Sequence, residues 1–386
     1  MSSNKPIILW VSDIFASGFA SASIAVLQYM LKHPLFEIHY MPINRTEELD
    51  IITERTQEAL NLPLDHIHMP NDVRLGFDSI KQIVLKLHPQ IIIIVGDNNN
   101  LEKHVHILGE CYRAWNGKLI LYMPVDREIF PIGHFNTLRC NKLLTLTNSS
   151  LDTITNCHYP YPLGALPHAV RTDIFHPIRG PNIREILREK LLGLGSDCFL
   201  IMNLNQQGER KRFDITLEAF SLFVAKYPTA ILVIKQARPN IMELIEKYGI
   251  KKHMVFVKYD MSATEMNMVY NCADVGINTS RGEGWGLIPC EMACCAIPQI
   301  VPRNTSHVEI FGDDYDFMEC EYKDNCGRWA PYVNEAYRLM EKYYLNPELA
   351  RIVGLQCKDR MNQYTPELIG KRALHELVDV YLDSSP

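Results

Sequence analysis

Residues 279 to 291 read Thr279-Ser280-Arg281-Gly282-Glu283-Gly284-Trp285-Gly286-Leu287-Ile288-Pro289-Cys290-Glu291, three glycines and two carboxylates in thirteen positions. A strand-like run, Ala273 to Thr279, leads in, and a helix is expected from Leu287 to Cys295. Glycines between strand and helix let the backbone come close to a ligand, and the free N–H groups of a helix start suit a phosphate. Glu283 in the loop and Glu291 in the first turns of the helix bracket that spot. Acids beside an anion-binding loop repel phosphate unless they face something else, and sugar or ribose hydroxyls are suitable partners. A plain strand–turn–helix would also use glycine here, but it would not need both acids. The segment reads as a ligand site.

A second cluster, Glu209-Arg210-Lys211-Arg212, lies between the expected strand Phe199 to Leu204 and the expected helix Phe213 to Ala225. Cations at a helix start oppose the helix dipole, which favours a bound diphosphate; a solvated basic loop is the alternative. Asp126 follows the strand-like run Leu119 to Val125, at the strand end where α/β sites collect, with His134 eight residues on. A loop aspartate capping a turn competes with the site reading there. Gly18 sits between the first strand and first helix without a G-x-G-x-x-G, so a dinucleotide fold has little support and a tight turn is an open alternative.

These residues need a scaffold, and 386 residues suffice for two α/β domains of ordinary size. Hydrophobic residues make up 47% and charged residues 22%, a globular balance. A net charge of −6 argues against a nucleic-acid-coating surface, so any phosphate site must come from a local basic cluster. Apolar runs such as Gln90 to Val95 fall far short of the roughly 20 residues of a membrane span. No spanning segment is expected, with peripheral membrane contact left open. Met1 to Ile8 shows no apolar signal region. The eleven cysteines follow no C-x-x-C pattern, which suits free thiols in a reducing, cytoplasmic compartment.

Strand-like runs at Ile7–Val11, Glu37–Met41, Ile91–Val95, Leu119–Met123 and Leu143–Leu146 alternate with helical stretches near Phe19–Lys32, Asp78–Leu87 and Asn100–Arg113. After a Pro- and Gly-bearing linker, His176 to Pro181, a second series begins. Its strands are Phe199–Leu204, Ile231–Ile234, Val255–Val257, Val275–Asn278 and Gln299–Val301, and Asn334–Asp383 reads as two or three helices. Apolar strands separated by helices argue for doubly wound parallel sheets, here two of them meeting at a cleft.

The chain resembles the GT-B fold retaining glycosyltransferases of family 4 (glycosyl transferases group 1). Glu283 and Glu291 have that family's E-x7-E spacing, and Tyr270 through Pro298 is similar to its "lYnaaDv…S…EGfGL…EAmacG.Pvi" block. Leu166 through Pro177 resembles its "iPnGVDt..F.P" stretch, Arg210-Lys211-Arg212 with Ala219-Phe220 its "RKG…AF" block, and Ser17-Gly18-Phe19 its N-terminal glycine loop. Four blocks in order across nearly the whole chain make the resemblance specific.

The resemblance implies an acceptor-side Rossmann-like domain at 1–177, a nucleotide-sugar domain at 178–364, and a last helix, 365–386, packing back on the first domain. It also implies transfer of a hexose from a GDP- or UDP-sugar to a hydroxyl, with anomeric configuration retained. The acceptor would be a glycan, a lipid or a protein-linked sugar, and neither a metal nor another cofactor is expected. Glu283 is carried over as the hexose contact, Glu291 as the ribose contact and Lys211 as the diphosphate cation. Gly18, Asn205, Arg210, Gly284, Trp285, Gly286 and Leu287 complete the expected donor set. Asp126 joins Glu283 and Lys211 as a candidate catalytic group, because family members often place an acid or histidine in that area. His168 matches the family's asparagine or histidine between domains, where a structural role is expected. The family's arginine five or six residues before the lysine is absent; Asn205 and Gln206 stand there, and Arg210 or Arg212 could substitute. Asp314-Tyr315-Asp316 spells the D-x-D of metal-dependent transferases of the other fold, but it falls late in the chain. His66/His68 and His104/His106 show no further ligand at metal spacing. A nucleotide-sugar-binding module and a sugar-nucleotide epimerase are the rival readings.

Overall fold

The computed structural model describes residues 5–14, 17–43, 49–71, 75–258, 260–322 and 327–383; part of the Met1 to Ile8 segment therefore lies outside the described residues. The chain forms two compact units. One comprises Met1–Val125, Phe130–Ala169 and Tyr364–Pro386, the other Asp126–Ile129 and Val170–Gln363.

The first unit is built on six parallel strands: β1 (Ile7–Asp13), β2 (Glu37–Ile43), β3 (Ile91–Val95), β4 (Lys118–Tyr122), β5 (Lys142–Thr145) and β6 (Leu163–Ala165). Their order is β2-β1-β3-β4-β5-β6. Strand β3, Ile-Ile-Ile-Ile-Val, is buried along its whole length, as a central parallel strand covered on both faces must be. The helix Gly18–Lys32 starts with Ser17, whose hydroxyl accepts from the Ala20 N–H at 3.1 Å. The last helix, Pro366–Leu382, packs against it within this unit, where Gly370 lets the two backbones approach. A Cβ on Gly370 would stand 2.4 Å from the Tyr29 side chain.

The second unit holds five parallel strands: β7 (Phe199–Asn203), β8 (Ala230–Lys235), β9 (Met254–Val257), β10 (Val275–Ile277) and β11 (Gln299–Ile300). They are ordered β11-β10-β7-β8-β9. A short antiparallel pair, β12 (Cys320–Tyr322) and β13 (Trp329–Pro331), adds an element the sequence pattern did not suggest. Phe213, Phe220 and Phe223 from the helix Phe213–Lys226 fill the core beneath β7 and β8. Cys290, Cys294 and Cys295 are buried, and every described cysteine is a free thiol. Ala296, where the resembled family has glycine, takes the left-handed backbone with φ 61°, a conformation that disfavours any side chain. Among the described residues no helix is long and apolar enough to cross a membrane.

Candidate active site of the second unit

The strand order of the second unit reverses between β7 and β10: β8 and β9 continue to one side of β7, β10 and β11 to the other. Open α/β sheets bind ligands beyond the C-terminal ends of the strands at such a point. The two loops flagged by residue type both emerge there, 204–212 after β7 and 278–286 after β10.

Glu283 is the centre of the site. It is 4% exposed, and its carboxylate accepts from Arg210 Nη1 at 2.7 Å, Ser280 Oγ at 2.6 Å, Asn278 Nδ2 at 3.1 Å and Lys211 Nζ. Its own N–H donates to Thr305 Oγ1 at 2.9 Å. Burial alone would push the carboxyl up, but Lys211, Arg210 and His307 outweigh it and hold Glu283 well below the usual range.

Arg210 bridges two acids, since its Nε also lies 3.1 Å from Asp126 Oδ2. Asp126 is approached by Arg127 at 3.6 Å and Arg328 at 3.5 Å as well. Four cations (Arg127, Arg210, Lys211, Arg328) thus surround two carboxylates (Asp126, Glu283), leaving the loops net positive. That surplus suits a diphosphate. Lys211 donates to Asn205 Oδ1 at 3.2 Å as well as to Glu283, so one of its three N–H groups has no use in these contacts.

Thr279 fixes the height of this cluster: its hydroxyl lies 3.0 Å from the Lys211 carbonyl, 2.8 Å from that of Arg212 and 2.8 Å from Thr216 Oγ1. Gly282 is required by close approach, because a Cβ there would stand 2.1 Å from the Asp126 carbonyl oxygen. Gly286 has φ 91° and caps the helix Leu287–Cys294 without a side-chain hydrogen bond. The first N–H groups of that helix therefore keep their capacity for an anion. Gly284 and Trp285 are buried in the loop, and the Trp285 carbonyl accepts from Ser306 Oγ at 2.9 Å.

Glu291 lies on the same helix, buried, with Tyr270 Oη donating to it at 2.8 Å. Burial pushes its carboxyl up to about 7, against the pull of Tyr270 and Lys235. The two acids thus differ: Glu283 is held ionised, whereas Glu291 is balanced near neutrality.

The other expected residues divide. Asn205 is buried, bonding Asn203 Oδ1 at 2.9 Å and Lys211, so it acts as a neutral support for the lysine. Arg210 reaches the site, but Arg212 turns to Asp214 through contacts of 2.7 to 3.0 Å. Gly18 opens a helix of the first unit, and His134 is exposed against the Phe130 ring. His168 is buried, 2.8 Å from Tyr122 Oη, and burial pushes it down to about 3. Asp314 pairs with Arg360, and Asp316 with Arg338 and Lys342, so both acids of the D-x-D are tied to cations.

Three participants escaped the sequence reading. Arg328 and Lys235 carry no local signal beyond their charge. His307 is fully buried and neither ring nitrogen makes a hydrogen bond of normal geometry. Its Nε2 faces the glycine loop, 3.2 Å from where a Gly286 Cβ would lie, and burial brings it down to about 4, so it is neutral near pH 7.

Comparison with known proteins adds the decisive observation. Residues 187–341, which include both loops and both glutamates, match the family described as glycosyl transferases group 1. The second unit carries a glycosyl transferases group 1 domain. EpsD of Bacillus subtilis (strain 168), assigned as a glycosyltransferase, is 27% identical over 217 residues, 55% of this chain and 52% of that protein. The chain thus matches about half the length of this curated relative. Among solved structures, Anabaena HepE in complex with UDP-glucose superposes with a TM-score of 0.75 over 97% of this chain and all of that one, at 11% identity. The pneumococcal O-GlcNAc transferase GtfA, in complex with UDP and GlcNAc, gives 0.72 over 98% of this chain and all of that one, at 8% identity. At such identities the likeness establishes the fold: two parallel-sheet α/β domains of the GT-B class.

Proposed function

We propose that the chain is a retaining glycosyltransferase that moves a hexose from a nucleoside diphosphate sugar to a hydroxyl on a glycan, lipid or protein-linked acceptor. The observation that carries this reading is Glu283, an ionised carboxylate held between Arg210 and Lys211 at the glycine loop that leads into the Glu291 helix. In this reading Lys211, Arg210 and the amides from Gly284 to Leu287 neutralise the diphosphate. Glu283 receives hexose hydroxyls, Glu291 receives the ribose, and Asp126 is a candidate catalytic group near the transferred sugar. The growing negative charge on the leaving diphosphate is met by preplaced cations and amides, which need no reorganisation during the reaction. Solved relatives in complex with UDP-glucose, or with UDP and GlcNAc, make UDP-sugars the first donors to try, with GDP-sugars beside them. A cytoplasmic enzyme with peripheral access to a lipid-linked acceptor fits the same reading. Thermal shift across UDP- and GDP-sugars, followed by transfer to candidate acceptors with the product anomer read by NMR, tests it. No shift with any nucleotide sugar would overturn it.

A second reading is favoured by one observation. Asn205 and Gln206 stand where the resembled family carries its diphosphate arginine, which suits a nucleotide-sugar-binding protein without transfer, or an epimerase that releases free sugar. Incubation with donor alone separates the three: free sugar marks the epimerase, and saturable binding without turnover on any acceptor marks the binding protein.

Donor affinity is expected to survive EDTA unchanged, because basic side chains and helix amides supply the neutralising charge. Loss of binding restored by Mg2+ or Mn2+ would show a metal-bridged diphosphate instead.

The balance at Glu291 predicts a pH dependence. Ribose hydroxyls donate to a carboxylate, so binding must shed the proton that burial keeps on Glu291 near pH 7. Affinity for the nucleotide sugar should therefore rise between pH 6 and pH 8, and Glu291→Gln should flatten the profile. The fold responds with the opposite sign. A carboxyl raised to about 7 holds its proton longer in the folded than in the unfolded chain, so stability falls as pH climbs from the ordinary glutamate range through that value. Thermal melts of the two proteins at both pH values check this second arm.

A further inference from the structure

In the first unit Glu37 and His39 are two residues apart on β2, which is an edge strand, so their side chains leave the same face. The spacing around His66 and His68 offers no further ligand; the fold supplies these two. The 66–68 segment runs alongside β2, with a bridge between Tyr40 and Ile67 and the His68 N–H donating to the Tyr40 carbonyl at 2.8 Å. His66 Nε2 then stands 3.7 Å, and His39 Nε2 3.0 Å, from the same oxygen of Glu37. All three ligand atoms lie within 4.8 Å of one another.

We propose that Glu37, His39 and His66 bind a divalent transition-metal ion, and that Zn2+ is the occupant the site fits best. Zinc bonds of about 2.0–2.2 Å to nitrogen and oxygen in tetrahedral array separate neighbouring ligand atoms by roughly 3.3 Å, and the two measured edges, 3.0 and 3.7 Å, bracket that value. The second contacts of both imidazoles suit metal binding. His66 Nδ1 lies 3.0 Å from the Ile38 carbonyl, which can only accept, so Nδ1 carries the proton and Nε2 presents its lone pair. In the neutral ring that lone pair faces a carboxylate oxygen, a pairing that is repulsive unless a proton or a metal ion lies between them. His39 Nδ1 lies 2.8 Å from His68 Nε2, to which it can donate while its own Nε2 turns to the metal. Two histidines and a carboxylate leave a fourth position, and a surface cavity of about 400 Å³ lined by Lys5, Phe36, Glu37 and His66 gives solvent access to it.

The test uses the 386-residue chain, tag-free, stripped with EDTA and dialysed. Calorimetry with ZnCl2 should show one ion per chain, and Co2+ should give the strong visible bands of a tetrahedral site without thiolate charge transfer. His66→Ala and Glu37→Gln should each weaken Zn2+ at least tenfold and lose the Co2+ bands. His68→Gln should weaken it about tenfold to a hundredfold through the second contact. His106→Ala, on an exposed helix position, should change nothing. If His66→Ala fails to fold, Glu37→Gln decides, because Glu37 is partly exposed and glutamine keeps its shape. No Zn2+ binding by the wild type, binding that survives a folded Glu37→Gln, or Co2+ spectra showing thiolate ligands would each overturn the proposal.

Discussion

Lys211→Ala is expected to weaken nucleotide-sugar binding by roughly tenfold to over a hundredfold and to slow transfer further, while Lys226→Ala leaves both at the wild-type level. The lysine is held from three sides: Asn205 and Glu283 take two of its N–H groups, and Thr279 fixes its backbone. The third N–H is free for a phosphate oxygen, and a charge-assisted contact of this kind is worth about 1.5–3 kcal/mol. Transfer should suffer more than binding, because the leaving diphosphate gains charge in the transition state. Lys226 is the proper reference: it is exposed and paired with Glu341 at 2.8 Å. Lys235 would mislead in that role, since it acts electrostatically on Glu291. Calorimetry and initial rates on the two variants decide the matter. Equal kinetics would reduce the basic cluster to solvated surface.

The parallel strands were legible because burial on both faces leaves unbroken apolar runs, β3 being the plainest. Where that signal fails, so did the reading. Strand β6 is three half-buried residues centred on Gly164, and the helix Asn148–Asn156 is mostly polar and depends on its Thr147 cap. The hairpin β12–β13 is too short to show an alternation. At the site, each loop announced itself by composition, yet their meeting did not. Glu283 and Lys211 are brought together because β7 and β10 are neighbours, and strand order leaves no trace in local sequence. The failure is sharper for single residues. His307, Arg328 and Asn278 contribute one side chain apiece, and a lone histidine, arginine or asparagine has no pattern to stand out from. Charge alone was also ambiguous: of the three adjacent cations, Arg210 and Lys211 face Glu283 while Arg212, with φ 48°, turns to Asp214.

The two glutamates should separate cleanly in binding and turnover. Glu291→Ala is expected to weaken the free nucleoside diphosphate and the complete donor by similar factors, because both carry the ribose. Each lost hydroxyl contact to a carboxylate is worth about 1.5–3 kcal/mol, or roughly tenfold to over a hundredfold. Glu283→Gln should behave in the opposite sense. It removes an anion from between Arg210 and Lys211, so the freed cations meet a diphosphate more readily and nucleoside diphosphate affinity holds or rises. Transfer should nevertheless collapse, since a neutral amide cannot stabilise the hexose hydroxyls as a carboxylate does. The isosteric change is preferred to alanine, which would add a cavity to the loss of a buried ion pair; breaking such a pair alone costs about 3–5 kcal/mol. Melting curves should accordingly place Glu283→Gln below the wild type, and Glu291→Gln at or above it at pH 8, where the buried carboxylate is a burden. Calorimetry with the nucleoside diphosphate and with the intact nucleotide sugar reads the distinction directly. The same loss for both ligands in both variants would mean that the two acids do not divide sugar from ribose.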